Sequence, residues 1–370
     1  MSSSIKFNIP GQALPELYDK QLSEKVILTQ QDFENFGVEA LEIFPSPPAH
    51  YRMRAEFKVW HDKEGLQFAM YEPGKYKSPT IINEFSIGSN RICQLMPILM
   101  KEINNCFGLR HKLFQLEFLT STVGDALISM IYHRPLDQVW IDLASKLEKK
   151  INAKVIGRSR KQKVIISDDY VEENFNVNNK IFKYRQYETG FTQPNAAVCQ
   201  NMLNWADNVT KNVGGDLVEL YCGNGNFTLP LSINYGRVIA TEISKISIQS
   251  ALHNASVNNC HNIDIVRMSS EDFVQAMNKV RPFRRLAHLN LSDFQFSTIF
   301  IDPPRAGLDD NTLSLVQKFN YIVYISCNPE TLHSNLSELV RSHKIERFAL
   351  FDQFPYTNHR ECGVFLRRNH

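Results

Sequence analysis

Residues 216–229 read DLVELYCGNGNFTL: an apolar run, a turn built on Gly223 and Gly225, then the opening of a helical pattern. Glycine lets a backbone turn tightly and approach a ligand with no Cβ in the way. The next apolar run, RVIATE, ends in Glu242, 17 residues beyond Gly225. A carboxylate at that strand end can accept hydrogen bonds from both hydroxyls of a ribose. A plain strand–turn–helix would carry the same glycines, but the placed acid favours a nucleoside ligand at the edge of a doubly wound sheet.

What the turn lacks narrows the ligand. A dinucleotide fingerprint would have a third glycine where Thr228 stands, and no GxxxxGK[ST] stretch occurs. S-adenosylmethionine fits better, because its tail is an amino acid and not a diphosphate.

On the C-terminal side of the turn, IDIVRMS, STIFIDPP, YIVYISC, RFALFDQFP and CGVFLRR alternate with amphipathic stretches, which predicts a mostly parallel sheet. On the N-terminal side, YRMRAEFKVWH, LQFAMYE, LFQLEFLTS and DALISMIYH alternate residue by residue and predict an antiparallel, half-exposed sheet. Helices are expected near 92–107 and 136–151, and over 14–36 with Leu17, Leu22 and Val26 on one stripe. The reading is an α+β domain at 1–185 and an α/β domain at 186–370, the boundary falling within about ten residues of that point.

Composition sets outer limits. No stretch of about 18 apolar residues occurs, so no membrane span is expected, and MSSSIKFNIPGQALPEL shows no charged-then-apolar signal pattern. Seven cysteines without a CxxC spacing suit a reducing, cytoplasmic compartment. The net charge of +2 neither requires nor excludes nucleic acid, yet Lys146–Lys163 holds eight Lys/Arg against Glu148 alone. That run is either a solvated face or a surface that follows phosphates.

Two strand ends carry unusual chemistry. STIFIDPPRAG delivers Asp302 ahead of Pro303 and Pro304, and YISCNPETL delivers Cys327 ahead of Asn328 and Pro329. Asn328 suits an N-cap and Pro329 the first helical position. Cys327 then sits beside a helix N-terminus, where partial positive charge favours thiolate. A buried apolar cysteine is the commoner case, and Cys93, Cys106, Cys199 and Cys260 are read that way. Glu361 opens the last apolar run; a solvated glutamate would read the same, but on the rim of such a site it can act as a general base. A thiolate, a carboxylate and a bound methyl donor suffice to methylate uracil at C5. Addition of the thiolate to C6 makes C5 nucleophilic, and loss of the C5 proton then releases the thiol.

These motifs together resemble the RNA 5-methyluridine methyltransferase family and its tRNA (uracil-5-) branch. The resemblance runs through HYRMRAEFKVWH, RHKLFQ, FTQPN, ELYCGNGNF, FIDPPRAGLD, YISCNPETL and FDQFPYTNHRECGV. It implies a C-terminal Rossmann-like S-adenosylmethionine-dependent methyltransferase domain behind an N-terminal RNA-binding domain. It implies Cys327 as nucleophile and Glu361 as proton acceptor, with Gln193, Tyr221, Asn226, Glu242 and Asp302 around the cofactor and Asp302 also at the uracil edge. The implied substrate is uridine 54 of the tRNA T-loop, with transfer-messenger RNA as a second RNA of similar shape. No metal and no obligate protein partner are implied. Related rRNA enzymes add a small barrel and a four-cysteine iron–sulfur site; only Cys93, Cys106 and Cys199 precede the glycine turn, so no iron–sulfur cluster is expected. Phe114, after Arg110, His111 and Lys112, is read as a base-stacking residue on an exposed loop, with a core aromatic as the alternative. Arg54, between Arg52 and Lys58, is read as part of a charged RNA face or a solvated one. The remaining alternatives are an rRNA enzyme of the same chemistry, an amino-methyltransferase needing no cysteine, and a non-catalytic tRNA-folding protein.

Overall fold

The computed structural model describes residues 10–38, 40–63, 65–71 and 79–369. The start of the N-terminal stretch and Glu72 of LQFAMYE lie outside them. The chain begins with helix α1 (Tyr18–Asp32) and strand β1 (Leu41–Phe44). It continues through β2 (Arg54–His61), β3 (Leu66–Met70), β4 (Thr80–Ile81), α2 (Asn90–Asn104), α3 (Phe107–Arg110), β5 (Leu113–Thr120), β6 (Ala126–Tyr132), α4 (Gln138–Ile151), β7 (Lys154–Ser159) and β8 (Gln162–Ile165).

Strands β2 to β8 form one sheet in the order β4-β3-β2-β5-β6-β7-β8. The alternation in β2 is real, with Ala55, Phe57 and Val59 buried. The four runs read as an antiparallel sheet pair that way, and β7, which was not expected as a strand, adds to it parallel to β6. The reason is α4, whose Trp140, Ala144, Leu147 and Ile151 are buried on one face and carry the chain back across the sheet.

A hairpin, β9 (Tyr170–Val177) with β10 (Lys180–Tyr187), follows. Then come α5 (Ala196–Thr210), β11 (Asp216–Leu220), α6 (Thr228–Leu231), β12 (Val238–Glu242), α7 (Lys245–Val257), β13 (Ile263–Arg267), α8 (Ser270–Met277), β14 (Phe296–Ile301), α9 (Asp310–Val316), β15 (Tyr321–Ser326), α10 (Pro329–Leu339), β16 (His343–Phe351) and β17 (Glu361–Arg368). The second sheet is ordered β1-β16-β17-β15-β14-β11-β12-β13. Strands β11 to β15 are mutually parallel and β17 lies antiparallel between β15 and β16. Both faces are covered. Val218, Ile299 and Ile322 pack with α8, α9 and α10, while Leu217, Phe300 and Val323 pack with α5.

The sheets divide the chain differently from the 185/186 boundary. β1 pairs in parallel with β16, so residues 41–44 belong to the second sheet. The hairpin buries Phe175, Val177, Phe182 and Tyr184 against α5, on the same side as that sheet. Local patterning gives a strand its two faces but not its partner.

Two readings from the N-terminal half also change. The fully buried stripe of α1 is the polar Tyr18, Gln21, Lys25 and Thr29, while Leu22 and Val26 of the expected stripe are partly buried beside it and Leu17 precedes the helix. In the basic run, Lys150 pairs with Glu102, Lys154 with Asp125, Arg158 with Glu188 and Lys163 with Asp169. Lys150 and Lys163 are exposed despite those pairings, and Lys146, Lys149, Arg160 and Lys161 are exposed too.

Candidate active site

Register brings the strand-end residues together. Leu220 lies beside Ile301, and Ile301 beside Tyr324, so Tyr221 and Asp302 leave adjacent parallel strands at the same edge. Ser326 pairs with Cys362, so Cys327 and Glu361 extend the same antiparallel pair by one residue. Asn328 caps α10 as expected: its side chain accepts from the Glu330 N–H at 3.1 Å, and Pro329 opens the helix. The Asn328 amide also donates to the Arg305 carbonyl at 3.0 Å, which ties the Cys327 turn to the DPPRAG turn.

The charge balance at Cys327 differs from the expectation of an activated thiolate. Partial burial pushes the half-buried thiol up, the carboxyls of Glu361 and Asp302 push it further, and Arg305 alone among the named neighbours pulls it down. Burial raises Asp302 to about 7. Burial, reinforced by Asp302, holds Glu361 well above the usual carboxylate range, with Arg305 again opposing. Negative charge is thus costly everywhere in the pocket, and Arg305 favours it on both Cys327 and Glu361. Sequence reading gave Arg305 no role; its place one residue past the two prolines was the only signal. Its guanidinium also donates to the His359 ring at 2.6 Å.

A pH prediction follows from these signs. The thiolate fraction of Cys327 rises with pH, and its titration lies above that of an ordinary thiol. Asp302→Asn removes a raising charge and shifts the titration down; Arg305→Ala removes a lowering charge and shifts it up. Alkylation of Cys327 by iodoacetamide as a function of pH reads both shifts, and shifts of the same sign would refute the charge balance.

The glycine turn lies between two clefts. One, of about 590 Å³, is lined by Tyr221, Glu242, Met268, Ser270, Pro304 and Asp309. A smaller one is lined by Gln193, Cys199, Tyr221, Asn226 and Asp302. Tyr221 separates them in a left-handed conformation, φ 63°, that is strained for an aromatic residue. Its hydroxyl is 2.7 Å from Ser270 Oγ, to which it donates.

Glu242 is oriented by backbone. Its Oε1 accepts from the Ile243 and Ser244 N–H groups, both at 2.7 Å, and its Oε2 from Gly223 N–H at 3.1 Å. Oε1 is filled by its two N–H donors, and Oε2 has room for one more. The Asn226 amide donates to Cys199 Sγ at 3.3 Å. Gln193, which lines the smaller cleft, accepts from the buried Gln353 amide at its Oε1, at 2.7 Å. Gln353 was not anticipated.

The two RNA-facing expectations fare differently. Phe114 is exposed, but it sits in β5 and not on a loop. Leu113 pairs with Tyr132 and Gln115 with Ile131, so Phe114 is the extra residue of a β-bulge, the device that re-aims a side chain. Its ring stacks on His133 at 4.3 Å with Lys58 Nζ 4.8 Å from its centroid. Arg54 is not part of an open charged face. Its guanidinium donates to the carbonyls of Glu188 and Gly190, an internal tie between β2 and the segment leading to Gln193.

The family model described as tRNA (Uracil-5-)-methyltransferase matches residues 17–369. The chain belongs to that family. Its chemistry is accordingly methyl transfer to uracil C5 in tRNA. A tRNA/tmRNA (uracil-C(5))-methyltransferase of Saccharophagus degradans is 54% identical over 359 residues, covering 97% of this chain and 98% of the relative. One of Teredinibacter turnerae is 56% identical over 362 residues, 97% and 99% of the two chains. Among solved structures, the Pyrococcus abyssi tRNA (uracil-54, C5)-methyltransferase in complex with S-adenosyl-L-homocysteine superposes with a TM-score of 0.69 at 20% identity. The match covers 94% of this chain and 83% of the archaeal one and shows a shared α/β S-adenosylmethionine-dependent methyltransferase fold with a mostly parallel sheet. Among the described residues no cluster of His, Cys, Asp or Glu is arranged to hold a metal, and no helix is long and apolar enough to cross a membrane.

Proposed function

We propose that this protein methylates C5 of uridine 54 in the tRNA T-loop through a covalent Cys327–uracil adduct, and that the T-arm-like part of transfer-messenger RNA is a second substrate. The observation that carries the reading is the register that sets Cys327 and Glu361 opposite each other, with Asp302 at the end of the neighbouring strand. The N-terminal sheet, with Phe114 and its stacked His133, supplies the RNA-facing surface. A cytoplasmic location accords with that substrate.

The clefts fit S-adenosylmethionine. Glu242 Oε2 retains one acceptor position for a ribose hydroxyl beside the larger cleft, and the smaller one offers Gln193, Asn226 and Asp302 to an amino-acid tail. When bound, the cofactor supplies an electrophilic methyl group to C5.

The chain's own residues do the rest. Cys327 Sγ adds to uracil C6, forming the C–S bond and passing the ring's electron pair toward C5. Arg305 favours the thiolate for that step. After methylation, Glu361, in the carboxylate form that Arg305 favours, takes the C5 proton, the C5–C6 double bond re-forms, and the C–S bond breaks to return the thiolate. The Gln193 NH₂ and the Asp302 carboxyl, raised to about 7 and so partly protonated near neutrality, can hydrogen-bond the uracil edge.

Digesting methylated RNA to nucleosides tests the substrate. Methyl incorporation should appear as 5-methyluridine in a T-arm RNA and vanish when uridine 54 is replaced by cytidine. Transfer to ribosomal RNA fragments instead would favour the rRNA reading. For the cofactor, Glu242→Ala removes a charged acceptor worth about 1.5–3 kcal/mol per hydrogen bond. Calorimetry with S-adenosylhomocysteine should therefore show affinity lowered by about 10- to 100-fold, and unchanged affinity would place the ribose elsewhere.

A further inference from the structure

The segment from Asp352 to Arg360 joins β16 to Glu361, and the polar stripe of α1 lies along it. Lys25 Nζ donates to Asp352 Oδ1 at 2.7 Å and to the Phe354 carbonyl at 2.8 Å. Gln21 Oε1 accepts from the Tyr356 N–H at 2.6 Å. The Tyr18 and Tyr356 rings meet edge to face at 6.2 Å. At the far end, the Arg360 guanidinium donates to Asp32 Oδ2 at 2.6 Å and to Thr29 Oγ1 at 3.4 Å. Four successive turns of one helix thus grip the segment from its first residue to the one before Glu361.

That seam is an odd choice for stability alone. Lys25 and Asp352 are 3% and 1% exposed, so the pair is bought out of water at a cost that an apolar pair would avoid. Polar contacts of fixed direction specify a register that apolar packing leaves looser. The grip also reaches the cofactor side, because Gln353, next to Asp352, holds the Gln193 amide.

We propose that α1 is a positioning element for proton removal: Lys25, with Gln21, fixes the 352–360 segment so that Glu361 meets the C5 proton of the Cys327 adduct. This rests on Glu361 being the proton acceptor. Lys25 touches no substrate and acts through Asp352. Loosening the seam slows release of the adduct and leaves its formation intact.

The test uses the full chain with natural T-arm RNA and S-adenosylmethionine. Lys25→Met combined with Asp352→Leu replaces the pair by apolar groups and leaves no buried charge. Gln21→Leu, a milder change, carries the same test should the double variant not fold. The expected result is a kcat lowered by about 10- to 100-fold, the scale of a small misplacement of a catalytic group, with kcat/KM within about twofold of the parent, because the steps through methyl transfer are untouched and KM falls with kcat. A methylated protein–RNA adduct should accumulate on denaturing gels. An unchanged kcat, or a lowered kcat with no adduct, would overturn the positioning role. Glu361→Gln run alongside separates the failures: if it too accumulates no adduct, the assignment of Glu361 falls, and this inference with it.

Discussion

Cys327→Ala should bind tRNA and S-adenosylmethionine as the parent does and form no 5-methyluridine. Without the thiolate, C5 of uracil remains an unactivated vinylic carbon, and no neighbouring group substitutes. Cys222 is the next thiol toward the cofactor turn, but it is buried and burial holds it well above the ordinary thiol range. Cys199 is likewise buried and pushed up to about 12. The expected loss is on the order of a million-fold in kcat, the scale seen where a covalent nucleophile is removed. The fold should survive, because the half-buried Cys327 follows β15 and the Asn328 cap does not need its side chain. Gel shift and cofactor calorimetry establish retained binding; radiolabelled methyl incorporation measures the loss. Residual turnover within about tenfold of the parent would contradict a covalent path.

Glu361→Gln should behave differently, and the difference is diagnostic. Addition to C6 and methylation at C5 need no base at Glu361, so one methyl group is transferred per protein. Loss of the C5 proton then stalls, and the RNA stays attached to Cys327 through C6. Steady-state turnover should fall by about 10²- to 10⁴-fold, the range of general acid–base catalysis, while a single-turnover burst persists. The substitution also removes a carboxyl that raises the Cys327 thiol, so adduct formation should not slow. Equal loss of burst and steady state would mean that Glu361 acts before methylation.

Much of this site was legible because its signals are local. Gly223 and Gly225 adopt φ of 55° and 80°, as the tight turn demanded. The Asn328–Pro329 cap needs only adjacent residues, and the strand-end positions of Glu242, Asp302 and Cys327 follow once the runs are read as parallel strands. What stayed hidden depends on distant approach. The partner of Lys25 lies 327 residues away, and no periodicity marks a buried lysine stripe. The upward shift of Cys327 comes from its burial and from two carboxyls brought in by other strands. The bulge at Phe114 is a slip of register between β5 and β6 that neither strand shows alone. Arg54 looked like a surface charge because alternation gives its face but not the Glu188 and Gly190 carbonyls that meet it.

The central claim is a covalent bond between Cys327 and C6 of uridine 54. It is tested most directly with T-arm RNA carrying 5-fluorouridine at that position, mixed with the protein and S-adenosylmethionine. Fluorine cannot leave C5 as a proton does, so Glu361 has nothing to remove and the adduct persists. The account predicts a protein–RNA band on a denaturing gel, absent in Cys327→Ala, whose digestion gives the Cys327 peptide bearing a methylated fluorouridine. Methylation of unsubstituted RNA without any trapped fluorouridine adduct, or an adduct on another cysteine, would contradict it.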